Sequence, residues 1–398
     1  MSRILGGRNA PIPYGPSYPK QVVKCEGPYV YDAGGSRYVD LWMGFGSLPL
    51  GHADERFINS VVDTAKHCGL MHSYAHPLEE SVADLLCSLL PSADSVRFAL
   101  TGQEATGYCA RLARAATGRE RLLLVEGGYH GVNDATSYRS PAGIPRRNIE
   151  LVTRIKHNDV DRLKIELRSG EFAAFMVEPV LGNDGVRPCS SKFLSIAREE
   201  CTKSGTVLVF DEVMTGFRKD IGCAQSDYGI CPDLTATGKA LGGGVPISAI
   251  CGADAIMRGF VPYGQVAQEG TYYGSPLSLA ASNIALRTYV NEDVPKRISS
   301  IVDDILRPLR QWNSQERMVE VSSYGGMFSI RFDVDQGGDG AMVFSAFSRN
   351  LAARGILLPP VASESAFVSV AHANLVEMLG EEILVAAQAA VAEWRRGL

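Results

Sequence analysis

The sequence predicts an α/β fold: a large domain on a mostly parallel central sheet flanked by helices, with a smaller α+β domain. Three observations predict it. First, nearly continuous apolar runs recur at 121–125 (RLLLV), 172–178 (FAAFMVE), 206–210 (TVLVF) and 247–251 (ISAIC). Runs without polar alternation suit strands covered on both faces, as in a parallel sheet. Second, helical patterns alternate with these runs from about residue 55 to 285. Third, the order changes after about 290: a helix near 295–312, a strand near 325–333, a helix near 342–354 and a short strand near 366–371. The expected division is 1–55 as an N-terminal segment joining the small domain, 56–288 as the large domain and 289–398 as the C-terminal small domain.

Along the chain, residues 1–50 form a Gly/Pro-rich lead. Within it GPYVYDAGGSRYVDL reads as a hairpin, two alternating runs around Asp32, Ala33, Gly34 and Gly35. Over 103–116, Ala105, Tyr108, Cys109, Leu112, Ala113 and Ala116 share one helical face, and Gly118 stands where a helix C-cap favours glycine.

Composition narrows the function. The chain has 398 residues, 45% hydrophobic and 21% charged, which is ordinary for a globular protein. A net charge of −5 gives no basic face for nucleic acid. No run approaches the ~20 apolar residues of a membrane span. The start, MSRILGGRNAPIP, lacks a signal peptide's apolar stretch. Nine cysteines without a CxxC pair point to reduced thiols in a cytoplasm, not to disulfides or zinc.

The chemistry gathers around two features. The run Val207-Leu208-Val209-Phe210 ends in adjacent acids, Asp211 and Glu212, and ligands of open α/β sheets bind beyond strand carboxyl ends. Alone, Asp211 reads equally as a helix N-cap. Lys239 then follows PDLTATG and precedes Gly242, Gly243 and Gly244, which let the backbone turn and approach something closely. A loop lysine is normally a solvated charge, but beside a cofactor its amine can form a Schiff base. An acid at a neighbouring strand end could hold a protonated pyridine nitrogen. Together these meet the needs of pyridoxal 5'-phosphate (PLP). Thr101, Gly102 and Gln103 open the helix at 103–116, as an anion site would. A plain N-cap at Thr101 with Glu104 completing a capping box explains the same residues. Tyr129 and His130 follow the run at 121–125, where an aromatic can stack on a ring or simply pack.

In this order the motifs resemble fold-type I PLP-dependent transferases of aminotransferase class III, and within them glutamate-1-semialdehyde aminomutases. The resemblance runs from GPYVYDAGGSRYVDL through TGQEATGYCARLARAATGR, EGGYHG, VEPVLGNDGV, VLVFDEVMTGFR, PDLTATGKALGGGVPISAICG and EGTYYGSPLSLAA to SVAH near residue 372. It implies that Lys239 carries the cofactor and shuttles protons and that Asp211 pairs with the pyridine nitrogen. Val213 and Tyr129 would flank the ring, with His130 beside it, and Thr101, Gly102 and Gln103 would hold the phosphate. Gln103 departs from the usual Ser-Gly-Thr there, though its amide can still donate. Thr271 would reach the partner's phosphate in a homodimer. Glu178 would belong to the cofactor's surroundings, with no role fixed.

Two departures bear on substrate. Pro13 falls where the aminomutases hold a substrate carboxylate with arginine, and a guanidinium fork is hard to replace. The gating loop after Tyr129-His130-Gly131 is shortened. Both argue against glutamate semialdehyde. Glu364 matches a family glutamate near the substrate and faces an amine or hydroxyl or else solvent. Phe45, His72, Ser73, Tyr74 and Tyr272 are candidate pocket walls or ordinary packing. The expected activity is a ping-pong aminotransferase, cytoplasmic, moving an amino group between a small, specialised amine or amino acid and a carbonyl compound. The alternatives are an isomerase (aminomutase or racemase) on the same scaffold, and a cofactor-binding protein without turnover, which intact Lys239 and Asp211 oppose. A nucleotide-binding dehydrogenase lacks its GxGxxG after a first strand.

Overall fold

A computed structural model describes residues 17–70, 74–134, 136, 141–333 and 340–397. The expected hairpin forms: β1 (Val22–Glu26), β2 (Tyr29–Asp32) and β3 (Arg37–Asp40) run antiparallel. Its turn closes because Asp32 Oδ1 accepts from the backbone N–H groups of Gly34 and Ser36, both at 2.9 Å.

The central sheet contains β4 (Ser95–Ala99), β5 (Arg121–Val125), β6 (Val152–Ile155) and β7 (Phe172–Val177). A small hairpin, β8 (Val180–Leu181) and β9 (Arg187–Pro188), lies outside it. The sheet is completed by β10 (Val207–Asp211), β11 (Leu234–Thr237) and β12 (Ser248–Gly252), in the order β4-β12-β11-β10-β7-β5-β6. All four apolar runs are strands. The run at 247–251 is the exception to parallel pairing: β12 lies antiparallel to both β11 and β4. Only residues 238–247 separate β11 from β12. That is fewer than the dozen or more a parallel crossover needs, so the chain must turn straight back.

The apolar strands are covered on both faces, and their side chains alternate between two cores. Leu122, Leu124, Ala174, Met176, Val207 and Val209 pack with Ala105, Cys109 and Leu112 of the helix Gly102–Thr117. Leu123, Phe175, Val177, Leu208 and Phe210 pack on the other face with Phe193, Leu194 and Ala197 of the helix Ser191–Ser204. Each large buried side chain contributes about 1.5–3 kcal/mol over leaving it exposed. Gly118 caps the first helix in the left-handed conformation, as expected.

Beyond residue 290 the helices Val294–Glu316, Gly340–Ala353 and Val376–Gly397 accompany an antiparallel sheet. Its strands are β13 (Val319–Tyr324), β14 (Met327–Phe332) and, after β15 (Ile356–Leu357), β16 (Ala366–Phe367). The strand expected near 325–333 is thus the second arm of a hairpin turning at Gly325 and Gly326. The strand near 366–371 stops at Phe367, and a 3-10 turn covers Val370–Leu375. β15 pairs parallel with β3, so the N-terminal hairpin takes its fourth strand from the C-terminal part of the chain. No described helix is long and apolar enough to cross a membrane, and all nine cysteines are unpaired.

Candidate active site

Strands β4, β5, β7, β10 and β11 point the same way, so their carboxyl ends meet along one edge of the sheet. Each delivers one expected residue group: Thr101–Gln103 after β4, Tyr129 and His130 after β5, Glu178 after β7, Asp211 on β10 and Lys239 after β11. All of these, with Val213, line one cleft of about 400 Å³. Thr271 does not line it; it is exposed on this chain.

Asp211 is 2% exposed. One carboxylate oxygen accepts the backbone N–H of Val213 at 3.1 Å; the other meets His130 Nδ1 at 2.7 Å. Burial disfavours a charged His130, but the hydrogen bond and charge of Asp211 outweigh it and raise the imidazole's pKa. Lys239 is half-buried with φ +46, a left-handed conformation that costs a non-glycine residue energy and that surrounding structure must enforce. Its Nζ donates to Met214 Sδ at 3.4 Å. Burial lowers the pKa of this amine; Glu178, Asp211 and Glu364 pull it back up, while Arg218 adds to the lowering. Such tuning of a lysine is characteristic of active sites.

Glu178 accepts the backbone N–H of Tyr129 at 2.8 Å and that of Gly182 at 3.3 Å. Burial, and then the charge of Asp211, raise its pKa. It therefore anchors the loop that presents the Tyr129 ring, which is 38% exposed. Glu212 turns away from the cleft and accepts from Thr215 Oγ1 and from the N–H groups of Ala224 and Gln225.

At the helix start the capping reading is seen directly. Thr101 is the N-cap of a complete capping box with Glu104, and its hydroxyl donates to Glu104 Oε2 at 2.9 Å. The hydroxyl and the N–H of Glu104 are thus committed. The first-turn amides of Gly102 and Gln103 remain, both lining the cleft.

The close approach expected at the glycine run is to protein. A Cβ on Gly243 would stand 2.5 Å from the Phe57 ring, and one on Gly244 would stand 2.7 Å from Leu48. The solvent-facing alternative for Glu364 is corrected: it is buried, because Ser363 and Ser365 on either side are tied to the loop after Glu178. Phe45 lines a separate cavity, and Tyr74 and Tyr272 are largely exposed, so none of the three walls the cleft on this chain. Pro13, His72, Ser73 and much of the shortened loop lie outside the described residues.

Sequence reasoning left out Ser47, Thr106, Asn183, Met214 and the turn of Val245–Ile247, all of which line the cleft. Met214 lay in plain view inside DEVMTGFR. The signal was its place three residues beyond the strand-end acid.

This is the fold-type I architecture of PLP-dependent transferases. The chain belongs to the class III aminotransferase family: the family model, Aminotransferase class-III, matches residues 14–377. A glutamate-1-semialdehyde 2,1-aminomutase of Archaeoglobus fulgidus is 33% identical over 390 residues, covering 94% of this chain and 93% of that protein. The crystal structure of an omega-transaminase from Sphaerobacter thermophilus matches with TM-score 0.91 and 26% identity, over 98% of this chain and 95% of that one. A transaminase solved with PLP bound also matches with TM-score 0.91, at 24% identity, over 99% and 96%. Class III enzymes depend on PLP and act on small amines and carbonyl compounds.

The residues present fit that cofactor. A Cβ on Gly102 would lie 2.6 Å from Val213, so only glycine lets the helix start close against this wall. On the cleft wall, buried His130 Nε2 has no hydrogen-bond partner among the described residues. The donor set is an acid, an amine, an aromatic ring and free helix amides, one for each part of a phosphorylated pyridine aldehyde.

Proposed function

We propose that the protein is a PLP-dependent aminotransferase that moves an amino group from a small amine or amino acid to a carbonyl compound in specialised metabolism. The observation that carries this reading is Lys239, held at left-handed φ beyond β11 with its amine opening into the cleft where Asp211 ends β10. The similarity to the omega-transaminase supports it.

Lys239 would hold the cofactor and would act as the base that takes the proton from the substrate carbon. Its lowered pKa makes the neutral, proton-accepting amine accessible near neutral pH. Asp211, oriented by His130 and by the Val213 amide, would hold the pyridine nitrogen. Bound PLP supplies an electron sink for the charge left when that proton departs. Tyr129 and Val213 would flank the ring, Glu178 anchors the Tyr129 loop, and the amides of Gly102 and Gln103 would receive the phosphate with Thr101 capping behind them. Thr271 reaches the partner's phosphate in a homodimer. The protein works in the cytoplasm, with residues 56–288 as the cofactor domain and 1–55 and 289–398 forming the small domain.

The 33% identity to an aminomutase favours a second reading, an isomerase that keeps one substrate throughout. A half-reaction spectrum separates the two. Purified yellow protein is mixed with amines and amino acids, without any oxo acid, and Lys239→Ala is the control. Stable bleaching, reversed only by an added carbonyl compound, is the expected result. A transient change with an isomer accumulating means the isomerase. Absence of a cofactor band in PLP-supplemented wild-type protein sinks both.

A further inference from the structure

Arg218 closes the run DEVMTGFR and is 1% exposed. Burial pushes its pKa down from 12.5 to about 10, so it is still a cation at neutral pH. Taking a guanidinium out of water is costly, so its contacts must make up for the lost water. Those contacts join three parts of the chain. Nε donates to the Met214 carbonyl at 2.5 Å, in the turn that follows β10. Nη2 donates to the Gly46 carbonyl. The guanidinium lies 4.7 Å from the centre of the Phe367 ring on β16, and the Arg218 carbonyl accepts the N–H of Gly326, between β13 and β14, at 3.0 Å.

Both ends of this bridge bear on the cleft. Met214 lines it, and Met214 Sδ accepts from Lys239 Nζ at 3.4 Å. Gly46 ends a run of four residues with left-handed φ: Met43 at +48, Gly44 at +60, Phe45 at +56 and Gly46 at +81. Met43 and Phe45 are not glycine, and such a run persists only where its surroundings hold it. A Cβ on Gly46 would stand 2.5 Å from both Arg218 Nη2 and the Phe367 ring, so these two groups close directly over the turn. The next residue, Ser47, lines the cleft. The Arg218 charge also reaches the amine: it opposes protonation of Lys239, which Glu178, Asp211 and Glu364 favour. We infer that Arg218 is a positioning residue: its guanidinium fastens the Met214 turn against Lys239 to the left-handed turn that carries Ser47 into the cleft. This rests on Lys239 as the residue that holds the cofactor.

Full-length wild type, Arg218→Met, Arg218→Lys and Phe367→Leu test it. Each is stripped of PLP. The rate at which the yellow band returns on adding PLP is then followed across the titration of the amine, beside urea midpoints. The rising limb of that profile reads the free Lys239 amine. Arg218→Met removes both hydrogen bonds and the charge. Its limb should move up by about half a pH unit or more, and its rate near neutral pH should fall about threefold or more. Arg218→Lys keeps a cation without the fork, and its limb should lie measurably between the two. Phe367→Leu leaves the guanidinium and both carbonyls, so it should lower the urea midpoint and keep the limb in place. An Arg218→Met limb superimposed on wild type, with only the urea midpoint lowered, overturns the inference: Arg218 is then packing alone. If Arg218→Met does not fold, an unshifted Arg218→Lys limb overturns it equally. An equal shift in Phe367→Leu assigns the effect to packing and overturns it too. Wild-type protein that never turns yellow sinks the reading of Lys239 instead.

Discussion

Asp211 and Glu212 leave the same strand in opposite directions. Along β10, Val207 and Val209 face the core under the helix Gly102–Thr117, and Leu208 and Phe210 face the other core. The period of two carries Asp211 to the first side, into the cleft, and Glu212 to the second. Both are buried, at 2% and 0% exposed. Asp211 meets one titratable partner, His130, and one amide, and both its neighbours belong to the site. Glu212 meets a hydroxyl and two amides at the start of the helix Cys223–Tyr228 and does not line the cleft. Near-equal burial and near-identical chemistry thus give one residue on the cleft and one in the scaffold. What separates them is which face of the sheet each reaches.

Asp211→Asn breaks the comparison most. The amide keeps the shape but removes the charge that would hold a protonated ring nitrogen. Turnover should fall by about 10²–10³-fold, as when one preorganised electrostatic group is lost from an active site. The His130 pKa should fall too, since Asp211 is what raises it. Steady-state rates and an NMR titration of His130 check the two arms. Unchanged turnover would remove Asp211 from the machinery.

Glu212 should respond in stability alone. Burial raises its pKa from 4.5 to about 7 despite three donors. The folded state therefore holds this proton more tightly than the unfolded chain. Its contribution is most favourable below pH 4.5 and is lost progressively as pH rises through 7, by about 3 kcal/mol in all. Glu212→Gln has no such proton. Relative to wild type, the variant should gain stability between pH 5 and pH 8, measured by urea unfolding, with turnover altered little. A parallel pair of stability curves would mean that Glu212 is charged throughout.

The same alternation explains what could be read beforehand. Asp211 and Lys239 were legible because strand ends and glycine runs are local signals. The four apolar runs were legible because complete burial removes polar alternation. β4 and β6 gave no such signal: SVRFA and VTRI carry arginines and are only half-buried, being edge strands. The reversed direction of β12 was also hidden in its composition, since a strand buried on both faces reads alike in either sense. Only the shortness of 238–247 carried it. The burial of Glu364 was not legible at all. It depends on Ser363 and Ser365 reaching carbonyl and amide groups almost two hundred residues away, at Gly182 and Gly185.

The opposite end of the site gives the smallest effect and the finest test. Thr101 was read as either a phosphate ligand or a cap, and its hydroxyl is bonded to Glu104 on both counts, donating to Oε2 and accepting from the backbone N–H. Glu104 in turn holds the amides of Leu100 and Thr101 and the hydroxyl of Tyr273. If the hydroxyl works for the helix, Thr101→Ala should cost about 1 kcal/mol of stability, the usual cost of losing a cap. PLP affinity should barely change, because the amides of Gly102 and Gln103 survive. Thr101→Ser should restore the stability. If instead the hydroxyl serves the phosphate, Thr101→Ala should weaken PLP retention roughly tenfold or more, the 1.5–3 kcal/mol of a hydrogen bond to a charged group. Urea midpoints and cofactor titrations on the same three proteins decide between a helix cap beside the cofactor and a ligand of it.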